Sequence, residues 1–221
     1  MRNMLTMLAC ALLLGAVGCQ SVTSYQPVGN EPATLDPAEW DGRWLMMGNW
    51  VPVRVADAEN GIIEFGPPEE AEEEEAQPLR MSIRRSGDWL FLNISSEEIE
   101  KMEGGGDAEA DPDEEKAPVT YLWGRVRNHQ NQVTFWLPDF EKFRDLVEAG
   151  TLPGELPGGE QGDTVILKEL TPEHLAMIIA GEHGVLFQWE EPIALCREAP
   201  ADDAEAAGGG NAAGEEDERA E

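Results

Sequence analysis

Apolar side chains recur at every second position through the middle of this chain, and a chain patterned in that way has few folds open to it. Val51, Val53 and Val55 alternate with Trp50, Pro52 and Arg54, and Leu79, Met81 and Ile83 alternate with Arg80, Ser82 and Arg84. A period of two places one set of side chains on a buried face and the other in water, the mark of a half-buried antiparallel strand. The same reading applies to Trp89–Ile94, Tyr121–Val126, Val133–Leu137, Thr164–Leu167, Val185–Trp189 and Ile193–Arg197. Turn chemistry separates them: Asn60-Gly61 suits a type I′ hairpin, Ser86-Gly87-Asp88 a tight turn, and Asn128–Asn131 a polar hairpin loop. The expected fold is mainly β, an antiparallel meander of about ten strands, which curls into a barrel because closure removes the edges on which other chains would pair.

Two short helices are expected late in the meander. Over Pro138–Gly150, Phe140, Phe143 and Val147 fall on one helical face and Gly150 supplies a stop. In the second, Thr171 is a natural cap, Pro172 fits the first helical position, Glu173 suits the positive helix end, and Leu175, Ile178 and Ile179 form an apolar stripe that ends at Gly181. The proline- and glycine-rich stretch Leu152–Gly162 between them reads as an exposed loop.

The formal net charge of −30 is concentrated rather than spread. Pro67–Pro78 holds six glutamates, Ser95–Pro118 ten acidic residues, and Ala199–Glu221 eight. Such runs repel themselves and lack apolar surface to bury, so they read as two insertions and a disordered acidic tail (199–221) attached to a single β-rich domain over 39–198. Nucleic acid is excluded as a partner, since this field repels a phosphate backbone. Asp107, Glu109, Asp111 and Asp113 begin like a calcium loop, but Pro112 stands where glycine is needed and Pro118 where the closing glutamate belongs.

The first residues give an address. Arg2 precedes an apolar run, Met4–Leu14, too short to span a bilayer, and Ala16-Val17-Gly18-Cys19 follows. This resembles the lipobox of bacterial lipoproteins. The resemblance implies a signal peptide over 1–18 and acylation of Cys19 as the first residue of the mature chain, with palmitate among its acyl groups. It also implies attachment to the outer membrane facing the periplasm, because Gln20 and Ser21 lack the aspartate that retains such proteins in the inner membrane. Residues 19–38 are then expected to form a polar tether. Cys10 lies in the leader, so only Cys196 stays free and no disulfide is expected in the mature chain.

Gly42-Arg43-Trp44 opens the first strand of the meander, and Arg197 ends the last. The pairing resembles the lipocalin and calycin signature, in which a tryptophan from a Gly-x-Trp motif packs beneath an arginine of the final strand. That resemblance implies a structural closure by Gly42, Trp44 and Arg197, with the guanidinium over the indole face and its donors serving carbonyls at the barrel base.

No nucleophile elbow, phosphate loop or Cys-x-x-Cys pair occurs, and His129, His174 and His183 form no ligand pair. Neither a catalytic residue, a metal site nor a cofactor is expected. Seven tryptophans are too many for one small interior, so Trp50 and Trp136, opposite the clearer apolar faces of their strands, are candidates for a ligand or partner surface. The expected function is that of a membrane-anchored, non-enzymatic envelope protein whose barrel binds a small hydrophobic ligand. The alternative is a structural or protein-interaction module that meets another envelope protein.

Overall fold

A computed structural model describes residues 20–67, 77–102, 118–157, 163–180, 186–190 and 192–198. The leader with Cys19, the tail after Glu198 and most of both acidic insertions lie outside the described residues. In chain order the elements are β1 (Ser21–Ser24), β2 (Glu31–Pro32), α1 (Pro37–Trp40), β3 (Gly42–Met46), β4 (Asn49–Asp57), β5 (Ile62–Phe65), β6 (Leu79–Ser86) and β7 (Trp89–Ser95). They continue with α2 (Ser96–Met102), β8 (Tyr121–His129), β9 (Gln132–Trp136), α3 (Phe140–Glu148), β10 (Gly154–Glu155), β11 (Thr164–Leu167), α4 (Pro172–Ile179) and β12 (Ile193–Arg197).

Eight of these strands close a ring, β3-β4-β5-β6-β7-β8-β9-β12, in which every neighbouring pair is antiparallel. The mainly β barrel expected from the alternation is therefore the architecture. Closure is made by β12, which pairs with β9 through Ile193↔Phe135 and with β3 through Arg197↔Trp44. The positive φ values of Gln130 and Asn131 make the tight hairpin between β8 and β9.

The inward positions of the ring form the first core: Trp44, Met46, Val51, Val53, Ile63, Phe65, Met81, Ile83, Leu92, Ile94, Val126, Val133 and Leu195 are all buried. A second core lies outside the ring. There the outward residues Phe91 and Trp123 meet Phe140 and Phe143 of α3, Leu175 and Ile178 of α4, Val165 and Leu167 of β11, and Leu186 and Phe187. The two helices expected late in the chain form as α3 and α4, and α1 and α2 are additional to them. The Asp139 side chain accepts from the Lys142 N–H to cap α3, and Thr171 accepts from His174 N–H while His174 Nδ1 accepts from Thr171 N–H at the start of α4.

Several expectations need correction. Residues 20–36 are packed rather than loose: β1 pairs in parallel with β11 and antiparallel with β8, while Val28, Ala33 and Leu35 are buried. Asn93, only 1% exposed, holds this segment by accepting from Val28 N–H and donating to Val28 O. Thr164–Leu167 is a strand, but it pairs with β1 outside the ring. Of the run read as a strand at Val185–Trp189, residues 186–189 contain only an isolated bridge from Phe187 to Pro138, because their aromatics turn into the second core. Ser96–Met102, expected within an acidic insertion, is helical, and Ile99 packs on the barrel core.

Candidate functional site

One end of the barrel is shut by the chain that enters it. After Ala33 and Leu35 pair by backbone with Ile83 and Ala58, α1 crosses the end, and Trp40 joins the core. The Trp44 indole N–H donates to Trp40 O at 2.9 Å. Arg197 donates to Ala38 O at 2.7 Å and to Asp41 O, and Asp41 in turn accepts from Val55 N–H through its side chain. Gly42, at φ +147°, leaves the room this needs: a Cβ there would stand 2.8 Å from Arg197 Nε. The structure thus brings Gly42, Trp44 and Arg197 together. The guanidinium serves the carbonyls of Ala38 in α1 and of Asp41 just after it; the expected stacking over Trp44 is not among the arginine–indole contacts of the described residues, which Arg43 and Arg125 make.

The opposite end differs. Leu79, Phe135 and Ile193 face the interior there and remain partly exposed, with Ile99 of α2 packed beside the same core. Below this rim the barrel is filled by its own side chains, from Trp44 at 1% exposure up to Leu92 and Met81 at 8%. An eight-stranded barrel is just wide enough to be filled in this way or to hold one small ligand. The strand ends that flank both acidic insertions, Phe65 and Leu79 for one and Ser95 and Tyr121 for the other, stand at this rim end.

Trp50 and Trp136 both lie on the outer wall and are half-buried, at different places. Trp50 pairs across strands with Leu45, 37% exposed, and the Arg43 guanidinium sits 5.2 Å from its ring. Met47, 56% exposed, is at the tip of the same hairpin, and Cys196 flanks Leu45 on the neighbouring strand. Trp136 belongs to an aromatic group on the outer face of β7, β8 and β9. Its ring is 5.2 Å from that of Trp189, which stands edge-on to Trp89 at 6.0 Å. Arg125 enters the middle of this group, 3.6 Å from the Trp89 ring centroid, 4.8 Å from Trp189 and 5.4 Å from Trp136. Burial lowers its affinity for the proton, and the nearby charge of Arg127 adds to this.

Position 124 makes this grouping feasible. A Cβ at Gly124 would stand 2.7 Å from Trp136 O, so its absence lets β9 close against β8 and sets Trp136 beside Arg125. Sequence reading missed Arg125, Trp89 and Trp189 as a group. The available signal was an outward face on β8, Trp123-x-Arg125-x-Arg127, too aromatic to be left to water.

Other titratable groups make local structure. Glu155 accepts from the Tyr25 hydroxyl and pairs with Lys168 at 2.9 Å, which lowers its pKa through the Lys168 hydrogen bond first. His174 serves the α4 cap, and His129 ends β8. Among the described residues there is no group of three or more His, Cys, Asp or Glu side chains that could hold a metal ion, and no helix is long and apolar enough to cross a membrane. No protein-family model, no curated protein and no solved structure matches the chain.

Proposed function

We propose that this is a lipid-anchored, non-catalytic binding protein of the cell envelope, which takes a small hydrophobic ligand at the rim of a lipocalin-like barrel. The observation that carries the reading is the difference between the barrel's two ends. One is locked by α1, Trp44 and Arg197; the other presents Leu79, Phe135 and Ile193, inward-facing and partly exposed. The filled lower barrel limits the ligand to a short apolar group at the rim. The acidic insertions that join strands there favour a neutral or cationic molecule over an anionic one such as a fatty acid. The lipobox resemblance supports Cys19 as the anchor and the outer membrane, facing the periplasm, as the location.

Two experiments test this. A neutral apolar dye whose fluorescence rises on binding is expected to saturate the wild type, and Phe135→Glu is expected to weaken it at least tenfold with the fold retained. Equal binding by wild type and variant refutes the rim as the site. Cys19→Ala is expected to release the protein from membranes; continued sedimentation with them refutes the anchor.

A second reading, docking of an envelope protein on the outer wall, is favoured by the exposed Leu45 and Met47 beside Trp50. Capture of one partner from envelope fractions, lost in Leu45→Glu, would select it over the rim.

A further inference from the structure

Among the described residues, the guanidinium of Arg125 has aromatic neighbours but no hydrogen-bond acceptor. In a chain with 45 acidic residues and 15 basic ones, carboxylates are everywhere. Arg43, Arg54, Arg80 and Arg144 each reach one, and Arg84 and Arg197 reach backbone carbonyls. Among the described residues, no carboxylate or carbonyl accepts from Arg125, and none accepts from Arg127 two positions along the same face. A half-buried arginine of this kind retains planar N–H donors after losing part of its hydration. Stacking on Trp89 compensates its charge through the ring face but satisfies none of those donors, which point along the guanidinium edge.

We propose that Arg125, ringed by Trp89, Trp136 and Trp189, is a binding site for a small carboxylate-bearing ring compound, with the carboxylate on the guanidinium edge and the ring against the indoles of Trp136 and Trp189. The guanidinium fork matches the two oxygens of a carboxylate. One half-buried cation balances one negative charge, whereas a dianionic phosphate brings a second that must be held in the field of a strongly acidic protein. The indoles supply flat apolar surface with tilted faces, 5.2 Å between the Trp136 and Trp189 centroids, on which a ring gains contact that a bare anion does not. The site is on the outer wall and independent of the rim: Phe135 faces the interior and Trp136, next to it, the outside.

The test uses the mature chain, with intrinsic tryptophan fluorescence and calorimetry as readouts. Benzoate and glucuronate are the ring carboxylates, distinguishing an aromatic from a saccharide ring; acetate, glucose and inorganic phosphate are the comparisons. At least one ring carboxylate is expected to bind saturably in the millimolar range or tighter, and acetate, glucose and phosphate about tenfold more weakly or not at all. Arg125→Lys keeps the charge but loses the planar fork, and is expected to weaken binding about tenfold. Trp136→Leu is expected to weaken ring carboxylates and leave acetate unchanged, and it tests the site should Arg125→Lys disturb folding. Failure of both ring carboxylates to bind at about 10 mM overturns the proposal, as does phosphate binding as tightly as they do, or binding unaffected by both variants. Phe135→Glu is expected to leave this binding intact.

Discussion

If Gly42 is bare to admit Arg197, the cost of filling position 42 must depend on whether the arginine is there. Gly42→Ala does two things. It forces a residue with a Cβ into φ +147°, a strain of about 1–3 kcal/mol, and it places that Cβ 2.8 Å from Arg197 Nε, so the guanidinium must leave the Ala38 and Asp41 carbonyls. Losing the two charge-assisted bonds costs about 2–4 kcal/mol, with the exposed Ala38 bond at the lower end. Gly42→Ala alone is thus expected to cost about 4 kcal/mol, and Arg197→Ala about 3 kcal/mol. In the double variant only the backbone strain, about 1 kcal/mol, remains to be added, giving a coupling of about 3 kcal/mol. Urea unfolding followed by tryptophan fluorescence reads all three, and the midpoint of thermal unfolding of Gly42→Ala should fall by about 8–16 °C. A coupling below about 0.5 kcal/mol refutes the reasoning, since the glycine would then serve the backbone alone.

Three further outcomes follow from the same geometry. Asn93→Ala leaves the buried N–H and carbonyl of Val28 without partners and should cost about 2–4 kcal/mol, with limited proteolysis now cutting between β1 and α1. Trp123→Phe should cost less than its lost volume implies, because the buried Trp123 indole N–H has no acceptor among the described residues; a loss in urea stability above about 3 kcal/mol speaks against this. Glu155 has its pKa depressed by Lys168, so its contribution to stability is present above the ordinary carboxylate range and is lost as the pH falls through the lowered value. Lys168→Met is expected to bring the Glu155 carboxyl back toward its ordinary titration by NMR; an unchanged titration refutes the pairing.

The ring was legible because it is written locally. β4 and β6 announce their inward faces by alternation, Val51 and Val53 in one and Met81 and Ile83 in the other, and Asn60-Gly61 and Ser86-Gly87-Asp88 mark the hairpins that follow them; β5, only Ile62–Phe65, is too short to show a period of its own. The caps of α3 and α4 are likewise local, Asp139 and Thr171 each acting within three residues. What escaped reading is what depends on distant partners. Residues 20–36 carry single apolar side chains, Val22, Val28, Ala33 and Leu35, without a period. Their order comes from β11, more than a hundred residues on, and from one asparagine on β7. Phe187 and Trp189 kept the two-residue spacing of a strand, but α3 and the outer face of β8 offered them aromatic neighbours, with ring centroids within 6.4 Å, in place of a partner strand. Arg125 looked like the polar half of an alternation; only the β7–β8–β9 register, Phe91↔Arg125↔Trp136, shows it entering an aromatic wall.

The packing of the N-terminal segment also bears on how such a domain would be carried. Ser21 is already paired with Thr164, and its N–H donates to Asp163 O. With the proposed anchor at Cys19, the free chain between lipid and sheet shrinks from a flexible tether to two residues, a reach of about 7 Å. With that anchor in place, the β1–β11 side of the domain would lie nearest the membrane, and β1 pairing would restrict how far the domain can turn about its attachment. Asn93, by clamping the chain at Val28, would then serve that restriction as well as stability.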